Sequence, residues 1–202
     1  RLRSVHRVGG QWHDLGHVFP QSYAPGSREW AGSSILRGDR VTVYFTAAGR
    51  AGEVAPSFEQ RLFECQARLV HAHNRPQLVD WSAPVESVKA DGVHYVTDMQ
   101  GAGTIGTIKA FRDPAYFRDP ATGIAYLLFA GSLAFSNHAY NGCIGVAVQG
   151  SGQWSLLPPL VHADGLNNEL ERPHIVYHDK RYYLFWSTQA KVFAPTGPKG
   201  PT

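Results

Sequence analysis

The sequence predicts an all-β protein. Hydrophobic residues make up 43% of its 202 positions, enough for a real core, and the 21 Gly and 13 Pro favour many turns over long helices. Short runs of β-branched and aromatic residues recur along the chain, each bounded by turn residues. Only residues 58–69 are compatible with a helix, and even there Phe63, Cys65, Ala67 and Leu69 alternate, so the second half of that stretch reads as a strand.

Taken in order, residues 41–46 follow a turn at Gly38 and Asp39 and combine Val41 and Val43 with Tyr44 and Phe45. Residues 126–129 follow a turn cluster from Asp119 to Gly123. Residues 144–148 form a further short strand. Residues 175–177 and 182–186 flank His178, Asp179, Lys180 and Arg181, which reads as a hairpin. Stacked, these segments form an internal repeat with copies at 28–46, 111–129 and 170–186. Each copy runs charged residues, strand, polar turn, aromatic-rich strand. The uneven spacing, from Trp30 to Pro114 and from Pro114 to Pro173, excludes a tight solenoid. Four-stranded sheets with long insertions fit, which is the pattern of β-propeller blades. Such copies need neighbours on both sides to bury their faces, so further blades are expected beyond this segment.

Composition narrows the function. The net charge is +3 with no Lys/Arg run, too even for a nucleic-acid footprint, and no apolar stretch approaches the roughly 18 residues of a membrane span. Cys65 and Cys143 are the only cysteines; they offer no CxxC zinc signature, and their separation leaves a disulfide open. None of the ten His residues has HExxH spacing. Gly101, Gly103 and Gly106 match GxGxxG but lack a strand–loop–helix context. The first five residues are no signal peptide, and the chain closes in a Pro/Gly-rich loop, so residues 1–202 read as an interior piece of one propeller domain.

The chemistry lies at the starts of the repeats. Asp113 follows Arg112 and precedes Pro114; Glu171 follows Glu169 and Leu170 and precedes Arg172 and Pro173. Equivalent positions in successive blades face one central channel, so acids far apart in sequence converge. Paired carboxyls suit glycosidic chemistry, in which one donates a proton to the leaving oxygen and another attacks or stabilises an oxocarbenium-like centre. Arg112 and Arg172 are placed to set carboxylate charge and to bind sugar hydroxyls. The bland alternative for each triplet is a turn with a solvated charge pair.

The combination of Glu29 to Ser33, Phe111 to Pro114 and Glu169 to Pro173 resembles the levansucrases and inulosucrases, sucrose-using fructosyltransferases of glycoside hydrolase family 68. The segments at 14–19, 183–188 and 193–195 fit as well, so the resemblance covers nearly the whole chain. It implies a five-bladed propeller, of which about three central blades are expected here, with the nucleophile-bearing N-terminal part and the C-terminal blade outside the chain. It implies that Asp113 stabilises the transition state, that Glu171 is the general acid/base, that Glu169, Arg112 and Arg172 hold substrate, and that Trp30 lines the fructosyl pocket. The family's nucleophilic Asp lies in a Trp-Asp motif upstream; Asp14, after Trp12 and His13, matches a segment downstream of it and is not assigned that role.

The implied reaction cleaves sucrose with retention through a fructosyl-enzyme and passes fructose to fructan, another sugar or water. A mainly hydrolytic β-fructofuranosidase and a catalytically silent sugar-binding module remain alternatives. The implied partners are sucrose and fructan or other acceptors, with no nucleic acid and no membrane, and the implied location is extracellular or periplasmic. Without its nucleophile, the segment alone is expected to be inactive. No cofactor is expected: where relatives from some bacteria hold calcium with Asp residues, this sequence has Thr107 and Asn168. Ala31 stands where many relatives carry Ser, and Gln189 at a position that varies. Ala130 stands where relatives carry a Glu that contacts sugar, which implies altered acceptor handling.

Overall fold

Thirteen strands, β1 to β13, and one short 3-10 turn account for the regular structure of the computed structural model, which describes residues 1–73, 75–98 and 108–198. The GxGxxG match at 101–106 and Thr107 lie outside the described residues. No α-helix occurs among the described residues, so the all-β expectation holds.

The chain opens with a hairpin of β1 (Arg3–Val8) and β2 (Gln11–His17), turned at Gly9 and Gly10, both with positive φ. A meander follows: β3 (Arg28–Arg37), β4 (Arg40–Ala48), β5 (Gln60–Ala72) and β6 (Arg75–Val79), with β7 (Val85–Val88) returning to pair with β5. The second meander is β8 (Phe111–Arg118), β9 (Ala125–Ser132), β10 (Gly142–Gly150) and β11 (Gln153–His162). Last comes the hairpin of β12 (Glu171–His178) and β13 (Arg181–Ser187), then the 3-10 turn at Ala190–Val192. The architecture is that of a partial β-propeller: two four-stranded blades, the first with β7 added, and two hairpins. The third repeat is present as a hairpin.

Burial explains the strand sequences. β9 and β10 sit in the middle of their sheet and are covered on both faces, so Leu127, Leu128, Phe129, Ala130, Cys143 and Ile144 form nearly continuous apolar runs. β11 lies at the edge and alternates exposed with half-buried residues. β5 begins at Gln60, earlier than its alternation suggests, because pairing with β4 continues to Gln60 opposite Ala48.

The core runs along the seams between sheets. Tyr44, Leu62, Phe111, Leu127 and Phe129 pack between the two large sheets around fully buried Tyr95. The Tyr95 hydroxyl donates to the Leu157 carbonyl at 2.7 Å and accepts from the Val146 N–H at 3.2 Å. Leu128, Ile144 and Leu170 fill the next seam, against Ile175 and Leu184. Cys65 and Cys143 are free, buried thiols in different clusters. These seams set β3, β8 and β12 side by side, with β8 in the middle.

Candidate active site

Each of the three neighbouring strands carries one irregularity at the same step of the repeat. The ladder of β3 shifts between Trp30 and Gly32, that of β8 between Arg112 and Ala115, and that of β12 between Glu171 and His174. A bulge adds a residue and re-aims the side chains beside it. In β8 and β12 the residue before proline takes a left-handed conformation, with φ of 61° at Asp113 and 51° at Arg172. Proline cannot donate to a ladder, and a non-glycine residue at such φ stores strain of about 1–3 kcal/mol. Gly32 is required for a different reason: a Cβ there would fall 2.0 Å from the Tyr44 carbonyl oxygen.

The bulges deliver their side chains to one cavity of about 430 Å3. All six residues singled out from the sequence, Trp30, Arg112, Asp113, Glu169, Glu171 and Arg172, line it. At its centre is Arg112, 5% exposed. Its Nη2 lies 3.1 Å from Glu171 Oε1 and 3.4 Å from Glu169 Oε2, and its Nε lies 3.9 Å from Asp113 Oδ2. One guanidinium thus touches three carboxylates, contributed by β8, by the start of β12 and by the residues leading into β12. The backbone N–H of Arg172 donates to Asp113 Oδ2 at 3.1 Å, the Asp113 N–H donates to Thr46 Oγ1 at 2.8 Å, and the Thr46 hydroxyl donates to the Ala31 carbonyl at 3.2 Å, which ties β12, β8 and β3 together through β4. Burial pushes the Asp113 carboxyl above its ordinary value, with Arg112 opposing. Burial likewise raises Glu169, again against Arg112. A separate cavity of about 300 Å3 beside Phe19, Tyr23 and Ser27 contains a single carboxylate, Glu29, and so cannot supply paired acids.

Sequence reasoning missed several lining residues, among them Phe58, Ile108 and Lys191. Phe58 makes an aromatic wall with Trp30, ring centroids 6.4 Å apart, and the Arg28 guanidinium lies over both rings at 5.7 and 5.4 Å. The β4–β5 connection that carries Phe58 is gathered by Glu53. This carboxylate accepts from the Ser57 hydroxyl at 2.8 Å, the Ser57 N–H at 3.2 Å, the Arg50 N–H at 3.1 Å and the Ser27 hydroxyl. The Ser27 bond is the largest of the effects that hold Glu53 down at about 2. No periodicity marks Phe58 or Glu53; only the aromatic character of Phe58 was visible.

Ala130 departs from expectation. It is fully buried, sits opposite Arg112 in the β8–β9 register and does not line the cavity. Directly opposed residues share a face of the sheet, so a glutamate there would reach toward Arg112 first. Asn168, at a position where calcium-holding relatives have Asp, is also fully buried and bonds to protein groups on both sides. Among the described residues, no group of three or more His, Cys, Asp or Glu is disposed to hold a metal ion, and no helix is long and apolar enough to cross a membrane.

Comparison with known proteins follows the same lines. A family model described as Levansucrase/Invertase matches residues 4–142 and 136–201. The levansucrase LscC of Pseudomonas savastanoi pv. glycinea is 31% identical over 224 residues, covering 96% of this chain and 49% of that protein. The levansucrase of Erwinia amylovora is 31% identical, covering 96% and 51%. Among solved structures, the inulosucrase from Halalkalicoccus jeotgali bound to kestose superposes with a TM-score of 0.83 at 36% identity, covering 94% of this chain and 50% of that one. The chain spans about half the length of the curated relatives it matches.

Proposed function

The chain belongs to the levansucrase/invertase family, and from that premise we propose that the protein is a retaining fructosyltransferase acting on sucrose. One observation carries the reading: a buried arginine holds three carboxylates on the wall of a single sugar-sized cavity, beside an aromatic wall. In this reading Glu171 protonates the glucosyl oxygen as the bond to the fructosyl anomeric carbon breaks and an enzyme carboxylate bonds to that carbon. Asp113 stabilises the positive charge that develops on the fructosyl ring. Glu171, now ionised, then takes the proton from the acceptor hydroxyl that displaces the enzyme. Arg112, Arg172 and Glu169 hold sugar hydroxyls, and Trp30 lines the fructosyl subsite.

The nucleophile is assigned to no residue of this chain, so the 202-residue chain by itself does not turn over sucrose. Residues 1–202 are part of one catalytic propeller domain, and its place of action is extracellular or periplasmic. Growing fructan, other sugars and water are the acceptors. In the complete protein, Glu171→Gln keeps the shape but has no proton to exchange, and it lowers sucrose turnover by about two to four decades. Glucose release from sucrose measures this, and turnover near that of the parent removes Glu171 from the acid/base role.

A further inference from the structure

Lys109 stands outside the acid cluster, on the approach to β8. Its ammonium donates to three oxygens: the Ala139 carbonyl, Asn141 Oδ1 at 2.7 Å and Asn168 Oδ1 at 3.1 Å. That is the full donor complement of a lysine, and because lysine only donates, it fixes both amide oxygens toward itself. Each amide nitrogen is then spent elsewhere. Asn141 donates to the Leu133 carbonyl at 2.8 Å, and Asn168 to the Ile108 carbonyl at 3.0 Å. The Asn168 N–H donates to the Val192 carbonyl at 3.0 Å. Four stretches of chain therefore meet around one positive charge: the approach to β8, the β9–β10 connection, the approach to β12 and the 3-10 turn. Two of them line the cavity through Ile108 and Lys191, and a third leads directly into Glu169 and Glu171.

A cage of side-chain and backbone carbonyl oxygens is the ligand set of a hard cation. Calcium does not fit it here, because the cage includes no carboxylate and its centre is filled by the ammonium. We propose that Lys109 is a built-in cation that joins these four segments and thereby positions Glu169 and Glu171, making the site independent of divalent metal. The part concerning the acids rests on the fructosyltransferase reading. The half-buried ammonium, with only neutral oxygens about it, has its pKa lowered by burial, which fits a charge kept for its geometry.

The test uses the complete protein, Lys109→Met, which keeps length without charge, and Lys109→Ala, which empties the cage. Melting temperature is measured in chelator, in calcium chloride and in methylammonium chloride, together with kcat and KM for sucrose. The parent melts identically in chelator and in calcium. Both variants melt about 2–4 °C lower, the loss expected for charge-assisted hydrogen bonds in a protein about twice the length of this chain, and their KM for sucrose rises. Methylammonium, which restores an ammonium to the emptied cage, recovers part of both losses in Lys109→Ala and nothing in Lys109→Met, whose side chain fills the space; calcium recovers neither. A parent destabilised by chelator, or a Lys109→Met protein that melts and binds like the parent, overturns the proposal. If the parent itself does not use sucrose, the fructosyltransferase reading fails, and the melting data alone still decide the role of Lys109.

Discussion

Replacing Arg112 with methionine keeps most of the side-chain volume and removes the charge that three acids share. The three contacts, at 3.1, 3.4 and 3.9 Å, involve side chains between 6% and 15% exposed, so solvent screens them little. At an effective dielectric of about 20, a contact near 3.4 Å is worth about 5 kcal/mol of gross attraction. Desolvation offsets most of that, and breaking such a buried cluster from one side costs about 3–5 kcal/mol because the acids left behind are uncompensated. The cost depends on pH in a direction the structure dictates. Burial already raises Asp113 and Glu169 above their unfolded values, and Arg112 limits the rise. Carboxyls with raised folded pKa contribute stability that is complete below the ordinary carboxylate range and is lost as pH rises through the folded value. Without Arg112 the folded values climb further and the loss extends to higher pH. Denaturant melts of the complete protein and of Arg112→Met, at about pH 4 and about pH 7.5, should show a small penalty in acid and the full penalty near neutrality. An equal penalty at both values, or one below about 1 kcal/mol near neutrality, refutes the idea that one guanidinium neutralises the acid cluster.

Three further outcomes are expected. Ala130→Glu should lower turnover by drawing Arg112 away from Glu171 while leaving the ratio of free fructose to free glucose unchanged; a raised share of transfer at intact turnover would return position 130 to the acceptor site. Phe58→Ala removes one ring of the aromatic wall and should raise KM for sucrose about 3- to 10-fold, the worth of one aromatic contact, with kcat nearly constant; a fall in kcat at constant KM would give Phe58 a different role. Glu53 has its folded pKa held at about 2, so its contribution to stability is present above about 4.5 and is lost as pH falls toward 2. Glu53→Gln, still faced by Arg28 at 3.8 Å and by Arg50, should therefore show a shallower acid-unfolding profile than the parent, and coincident profiles would count against the clasp.

Parts of this architecture were legible in the sequence because they obey local rules. The β12–β13 hairpin declared itself through Ile175, Val176, Leu184 and Phe185 on either side of Asp179 and Lys180, both of which take the positive φ that such a turn requires. The acids were legible because their motifs recur at one step of a repeat. β11 escaped notice because Pro158 and Pro159 interrupt its alternation, which an edge strand tolerates and a central strand does not. The β1–β2 hairpin is polar along much of its length, with His6, Arg7, His13 and Asp14, so no apolar period marked it. Lys109, Glu53 and Phe58 were illegible for a different reason. Each acts from a connection between strands and has at least one partner far along the chain, as when Lys109 reaches Asn168, Glu53 reaches Ser27 or Phe58 meets Trp30. Such pairings exist only once the sheets have stacked.

The three aligned bulges also bear on how such a site diversifies. A ladder shift at the same step presents Trp30 and Ala31 from one sheet, Arg112 and Asp113 from the next, and Glu171 and Arg172 from the third. Chemistry is thus written in two or three letters at a fixed place, while the ladders on either side carry the fold. Duplicated hairpins that inherit the kink inherit a ready mounting point, and each copy is free to change its letters without renegotiating the scaffold. For an engineer, the natural unit of exchange is therefore the short insert at the kink, moved between sheets or randomised in place, rather than the blade.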